Sequence, residues 1–297
     1  MKVISIVGNK KSGKTTLGVR LAFALNEYGS VGVIKHIHGS FDTPKKDTYL
    51  FSEAGAKIVL AITSHETVKI INSGNGDRGR ENGSDDCSSS EDLELALCEL
   101  ADYGIDFAVV EGFKDSNIPK IAIGDVVAEN IIKRVDFGVD IGAIEANVKI
   151  DELLNLTFDL KDFFTLNSLI LKVKSNTKIN EAGAIGTFTG IVRGITDGKE
   201  VQALDFEKYD QVAEGKIKEI SDGLKKRDGI VDVRIHHNTG YIKAGGDIVY
   251  IVVAGSHRAQ VFSALSDAIE LIKKDVPIWK KEVTVDGDFW VHDKTQA

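Results

Sequence analysis

Cysteine is scarce in this sequence: Cys87 and Cys98 are the only two among 297 residues. That excludes a disulfide scaffold and a four-cysteine zinc site. Three prolines exclude a proline-rich or collagen-like chain despite 29 glycines. Apolar runs are short, 249–254 being among the longest, far below the ~20 residues that cross a bilayer. The apolar stretch at the start, 3–7, is too short for a signal peptide. A cytoplasmic protein with no membrane attachment is expected. Positive charge is also in deficit, with 37 Lys+Arg against 45 Asp+Glu and a net charge of −8. From Ser168 onward acidic and basic residues balance, so the whole excess lies before it. An acidic first part and a neutral second part argue against nucleic-acid binding, and any anion site must be a local cluster.

What is present is globular: 42% apolar and 28% charged residues, in a chain long enough for two domains. Segments 2–7 and 31–35 read as strands, 15–28 as a helix, and 52–56 as part of another. Between 72 and 90 no large apolar residue occurs, so that stretch is expected to be a mobile loop. A helical pattern returns over 91–101 with Leu93, Leu97 and Leu100 on one face, followed by a continuous apolar strand at 107–110. This alternation predicts a P-loop NTPase-like α/β domain with a mostly parallel sheet. Over 153–169 the alternation is lost, and a junction there gives domains 1–167 and 168–297. Strands are then expected at 169–173, 184–192, 201–207, 231–235 and 247–253, with helices at 211–225 and 259–273. Together they form an α+β domain.

Gly8-Asn9-Lys10-Lys11-Ser12-Gly13-Lys14-Thr15 fits G-x-x-x-x-G-K-[ST] between a strand and a helix. Glycines let backbone N–H groups turn inward around phosphate oxygens at the positive end of the helix dipole. Lys14 supplies a point charge and the Thr15 hydroxyl a ligand for Mg²⁺, and the nucleotide-binding set runs from Gly8 through Thr16. Glu111, directly after the apolar strand, is favoured as the carboxylate on the Mg²⁺ side over Asp106, with Asp42 and Asp47 as weaker candidates. His36 and His38 either face nucleotide or metal or make plain hydrogen bonds.

A second cluster lies near the C-terminus. Lys273 and Lys280 bracket Pro277, which ends a helix and forces an extended segment. The two lysines are expected to converge on one pocket with Trp279 excluding water, so that neighbouring cations lower a lysine pKa into a usable range. Ser256-His257-Arg258 between a strand and a helix forms an anion clamp, and Arg193 adds another cation.

Residues of the first domain resemble the molybdopterin-guanine dinucleotide biosynthesis protein B (MobB) family. These are the P-loop, Lys35-His36-Ile37-His38, Asp42, Pro44-Lys45-Lys46-Asp47-Thr48, Glu53-Ala54-Gly55-Ala56 and Val110-Glu111-Gly112-Phe113-Lys114. The resemblance implies a GTP- and Mg²⁺-binding adaptor, with weak or no hydrolysis, that assists a guanylyltransferase in attaching a guanine nucleotide to molybdopterin. No base-reading Asn/Thr-Lys-x-Asp segment occurs, so guanine is implied by the resemblance alone.

The second domain is similar to the large, catalytic subunit of molybdopterin synthase (MoaE). The matching pieces are 183–193, 204–209, Ser256-His257-Arg258, Val276-Pro277-Ile278-Trp279-Lys280-Lys281-Glu282, Asp286-Gly287 and Trp290-Val291. That resemblance implies that Lys273 and Lys280 are catalytic, Lys273 meeting the carrier tail in acid–base transfer and Lys280 neutralising substrate. Arg193, His257 and Arg258 would hold the substrate phosphate, with Phe188, Ile191, Val192, Lys281 and Glu282 lining the pocket. The implied reaction installs two sulfurs in cyclic pyranopterin monophosphate, delivered as a thiocarboxylate on the Gly-Gly tail of a small ubiquitin-like carrier. No redox cofactor is expected, and a homodimer is implied by both families. One departure is Asn238, where an arginine commonly follows the histidine. Two other readings stand beside the fused enzyme: a nucleotide-switched binding protein with a non-catalytic C-terminal domain, and a small-molecule kinase using the P-loop.

Overall fold

A computed structural model describes residues 1–37, 49–51, 54–71, 90–135, 149–196, 198–208, 210–284 and 287–291. It divides into two compact units. One comprises Val3–Leu97 and Phe107–Leu160; the other comprises Met1–Lys2, Cys98–Asp106 and Lys161–Ala297. The expected loop at 72–90 lies outside the described residues except Ser90, which opens a helix. His38, Asp42 and Asp47 also lie outside them.

The elements up to residue 160 are β1 (Lys2–Gly8), α1 (Lys14–Leu25), β2 (Val31–Lys35), β3 (Ile58–Ile62), β4 (Thr67–Ile71), α2 (Ser90–Asp102), β5 (Phe107–Glu111), β6 (Lys120–Ile123), β7 (Ile131–Val135) and α3 (Ile150–Phe158). Except for Lys2 and the α2 residues from Cys98 onward, all belong to the first unit. Its main sheet has the order β2-β5-β1-β6-β7, with parallel pairing of β2 with β5, β1 with β6, and β6 with β7. A parallel strand covered on both faces needs a continuous apolar run, which Phe107-Ala108-Val109-Val110 of β5, all buried, supplies. Leu17, Leu21 and Leu25 of α1, spaced four apart, make one stripe that joins this core. β3 and β4 form a separate antiparallel hairpin. The helix expected over 52–56 is not found in its described part. Residues 49–51 are helical, Ala54 N–H donates to the Leu50 carbonyl, and Ala54 and Gly55 form a turn with Gly55 at φ +97°; Ser52 and Glu53 lie outside the described residues.

The second unit contains α4 (Leu166–Lys174), β8 (Ala184–Ile191), β9 (Ile195–Thr196), β10 (Lys199–Lys208), α5 (Asp210–Lys225), β11 (Ile230–His237), β12 (Gly240–Lys243), β13 (Asp247–Gly255), α6 (Arg258–Asp275), β14 (Ile278–Thr284) and β15 (Gly287–Val291). One antiparallel sheet runs β11-β13-β8 and another β12-β10-β14-β15 with β9 beside β10. Ile251 and Val253 of β13 face α5 and α6 in one core, while Tyr250, Val252 and Ala254 pack with Leu169 and Val173 of α4 in another. Burial on both faces explains the unbroken apolar run of β13.

Two expectations need correction here. The segment 169–173 is helix, not strand, and the 153–169 stretch holds most of α3 and the start of α4. Thr165 and Ser168 form a capping box, the Thr165 hydroxyl accepting from Ser168 N–H at 3.0 Å and Ser168 Oγ accepting from Thr165 N–H at 2.9 Å. That reciprocal cap starts a helix, and burial of Leu169 and Val173 one turn apart sustains it. The boundary expected between 167 and 168 falls inside this helix.

Candidate functional sites

In the first unit, β1 ends at Gly8, in register with Ile123 of β6, and α1 opens at Lys14. Between them Lys11 at φ 63° and Gly13 at φ 89° turn the backbone through left-handed conformations. A Cβ on Gly8 would stand 2.5 Å from Ser12 Oγ, so the loop closes this tightly only with glycine there. Asn9, Lys10, Lys11, Thr15 and Thr16 are exposed around the loop. No acidic residue occupies the first turn of α1, leaving its positive end, about half a charge, open to an anion.

The side chains converge. Lys14 Nζ donates to the carbonyls of Gly8 at 3.0 Å and Asn9 at 2.8 Å. Thr15 Oγ1 donates to both Glu111 carboxylate oxygens, at 3.1 and 2.9 Å. Lys35 Nζ lies 3.3 Å from Thr15 Oγ1 and 3.3 Å from Glu111 Oε2. Ser12 Oγ is buried with no hydrogen-bond partner among the described residues. Asp106, the alternative to Glu111, sits at the other end of β5, where its carbonyl accepts from Lys2 N–H.

The sequence assigned no role to Lys35; the signal was its register opposite Glu111 at the ends of adjacent strands. Gly112 and Lys120 were also missed. A Cβ on Gly112, which has φ +106°, would stand 2.9 Å from the His36 Cβ, and the His36 and Phe113 rings stack at 5.0 Å. Lys120 is fully buried; its ammonium donates to the carbonyls of Ser116 and of Ile118 at 2.9 Å. Burial lowers its pKa from the usual lysine value. It thereby ties down the crossover that follows Glu111. This donor set suits a nucleotide phosphate with Mg²⁺: a tight left-handed turn before a helix, Lys14 beside it, the Thr15 hydroxyl and Glu111 carboxylate in contact, and a Ser12 hydroxyl with no partner among the described residues.

In the second unit the expected residues fall into two groups. Arg193 is exposed just after β8, while Val192 is buried, its N–H donating to the Gly246 carbonyl. Phe188 is half-buried against the α5–α6 core, and Ile191 is exposed. Lys273, on the last turn of α6, is 59% exposed and pairs with Glu270 at 3.2 Å. After it Val276 is extended and Lys280 sits half-buried on β14, in register with Phe206. Alternation along β14 puts Lys280 and Glu282 on one face and Lys281 on the other. Lys281 pairs with Asp288 at 2.6 Å, and that hydrogen bond holds its ammonium above the usual lysine range. Trp279 is half exposed. An open groove of about 320 Å³ between α5 and α6 is lined by Ile220, Leu224, Leu271 and Asp275 among others, and by neither catalytic candidate.

His257 and Arg258 are exposed at the start of α6. Fifteen residues at 1.5 Å each separate Arg258 from Lys273, about 22 Å along the helix axis. The sheet tells the same story. Ile191 pairs with Asp247 at one end, Ala184 with Gly255 at the other, and α6 returns from the Gly255 end, with Val261 and Leu265 against Gly186. One chain therefore puts Arg193 and Lys273 towards one end and His257–Arg258 at the opposite end. Asn238 holds the β11–β13 corner: its Oδ1 lies 3.0 Å from His236 Nε2 and its Nδ2 donates to the Asp247 carbonyl at 3.0 Å.

The pair of units defines a class: a P-loop α/β segment continuous with an α+β segment. Residues 3–135 match the family described as molybdopterin guanine dinucleotide synthesis protein B, and residues 162–275 match the MoaE protein family. Over 299 residues the chain is 34% identical to the probable molybdopterin synthase of Haloferax volcanii, covering 99% of this chain and 100% of that protein. The molybdopterin synthase catalytic subunit of Halalkalibacterium halodurans is 42% identical over 116 residues, which is 39% of this chain and 74% of that protein. The crystal structure of molybdopterin synthase from Staphylococcus aureus is 38% identical, has a TM-score of 0.36, and is matched over 38% of this chain and 82% of its own. The chain belongs to the molybdopterin synthase family in its two-segment form, MobB-type followed by MoaE-type, and its role is in molybdenum cofactor biosynthesis. Among the described residues no helix is long and apolar enough to cross a membrane.

Proposed function

We propose that residues 168–297 transfer sulfur from the thiocarboxylate tail of a small ubiquitin-like carrier to cyclic pyranopterin monophosphate, giving molybdopterin. Residues 1–167 bind GTP with Mg²⁺ and assist a guanylyltransferase in forming the guanine dinucleotide cofactor. The observation that carries this reading is the full-length match to a probable molybdopterin synthase. From Ser168 onward the chain has no cysteine, so an external sulfur source agrees with it. Lys273 would meet the carrier tail and move the proton, and Lys280 would neutralise substrate charge.

The 22 Å span estimated from helix rise bears on the partner. A small pterin phosphate cannot reach Lys273 and Arg258 of one chain together. A second copy, related by a twofold axis, would present its His257 and Arg258 to the Arg193–Lys273 end of the first. This supports a homodimer with composite sites. In the P-loop unit, Lys14 and the loop amides would hold phosphates, while Thr15 and Glu111 would hold Mg²⁺, which supplies charge neutralisation there.

The test is incubation with carrier thiocarboxylate and cyclic pyranopterin monophosphate, followed by mass analysis of the pterin. The expected outcome is a product carrying two added sulfurs with the native chain and none with Lys273→Ala of unchanged fold. Normal turnover by that variant would refute the assignment.

A further inference from the structure

Lys35 is an unusual neighbour for a metal-binding pair. Five registered positions, Val31 with Phe107 through Lys35 with Glu111, fix the ends of β2 and β5 side by side. The Lys35 ammonium thus stands 3.3 Å from the Thr15 hydroxyl oxygen and from a Glu111 carboxylate oxygen, the two groups that would hold Mg²⁺. Glu111 is 17% exposed and Lys35 46%, so the carboxylate is fixed while the lysine has room to swing outward. Mg²⁺ requires oxygens at 2.0–2.1 Å in near-octahedral array, which leaves no place for an ammonium bridging the same two oxygens.

We propose that Lys35 is a tethered cation holding the metal position of the P-loop, and that a divalent ion enters only by displacing it. The proposal rests on the nucleotide-site reading above. It has a consequence for order of binding. A bare divalent ion must break the Lys35–Glu111 pair and leave the ammonium with no new anion. A nucleotide arriving with the ion offers its terminal phosphate oxygens to the displaced ammonium. Metal and nucleotide then favour each other's entry, which is a positive coupling between two ligands. Lys35 would also make the triphosphate site select against metal without nucleotide.

The experiment titrates the full chain with Mn²⁺ alone, followed by electron paramagnetic resonance, and repeats it with a fluorescent guanosine triphosphate analogue present. Lys35→Met should tighten Mn²⁺ binding to the nucleotide-free protein by roughly fivefold, the scale of one partly exposed ion pair. It should shrink the nucleotide-induced tightening by a similar factor. Lys35→Arg, which keeps the charge, should retain the weak nucleotide-free Mn²⁺ binding of the native chain. Lys35→Gln serves the same comparison if the methionine variant melts early. Unchanged or weaker Mn²⁺ binding by both neutral variants, with nucleotide binding intact, would overturn the proposal. Absence of nucleotide binding by the native chain itself would instead overturn the nucleotide-site reading.

Discussion

Asp232 shows how single residues divide the work of stability in the α+β unit. Its side chain is 1% exposed and accepts from Val233 N–H at 2.8 Å and Arg234 Nε at 3.0 Å, with Lys225 Nζ at 3.1 Å. Burial alone would push its carboxyl upward. Hydrogen bonds from Asn176 and Lys225, with the Arg234 and Lys225 charges, outweigh that and hold the pKa below the usual 3.8. A depressed folded pKa contributes stability that is complete above the ordinary carboxylate value and disappears as pH falls through the lowered one. Thermal melts of the native chain should therefore lose this contribution below about pH 4. Asp232→Asn should cost about 1–3 kcal/mol at neutral pH, by leaving buried donors poorly matched, and should flatten that acid limb. Equal acid limbs in the two proteins would contradict the account.

At the level of elements, the approach of α6 to β8 depends on Gly186. A Cβ there would meet Val261 Cγ1 at 2.6 Å and Leu265 Cδ1 at 2.8 Å. Gly186→Ala should lower stability by about 1–3 kcal/mol through overpacking, read as a lower melting temperature. An unchanged melt would mean the helix retreats without cost. The same element scale explains what the sequence could show. β8, β10, β11, β13, α5 and α6 were legible because each carries its own periodicity or apolar run. α4 was misread because Leu169-Ile170-Leu171 looks like a strand, whereas the decisive signal was a two-residue cap four positions upstream. β12, β14 and β15 were missed. β14 mixes lysines and Glu282 with Trp279, and pairing with β10 and β15, rather than local pattern, makes it a strand.

For the whole molecule, the proposed composite sites give a sharp expectation. Arg258→Ala and Lys273→Ala chains should each be nearly inactive in sulfur transfer. Mixed by co-refolding or subunit exchange, they should recover about a quarter of native activity, since half the dimers are mixed and each has one intact site. No recovery, with exchange verified, would place both groups in one chain's site after all. The two units should also separate functionally: Lys14→Ala should abolish nucleotide binding in a fluorescence titration and leave sulfur transfer largely intact, since the two sites are built from different units. A large fall in transfer would reveal coupling.

Sequence alone determined the chemistry that depends on contiguous residues. The P-loop could be read from Gly8 to Thr15 because the phosphate cradle is a local turn, and Glu111 because it ends an apolar strand. Tertiary structure decided what depends on residues brought from afar. It set Lys35 against Thr15 and Glu111 through strand register. It also parted Arg258 from Lys273, since a rigid helix fixes a distance that spacing in a linear chain leaves open. Local order follows from neighbours along the chain, while the composition of a site follows from how sheets and helices pack.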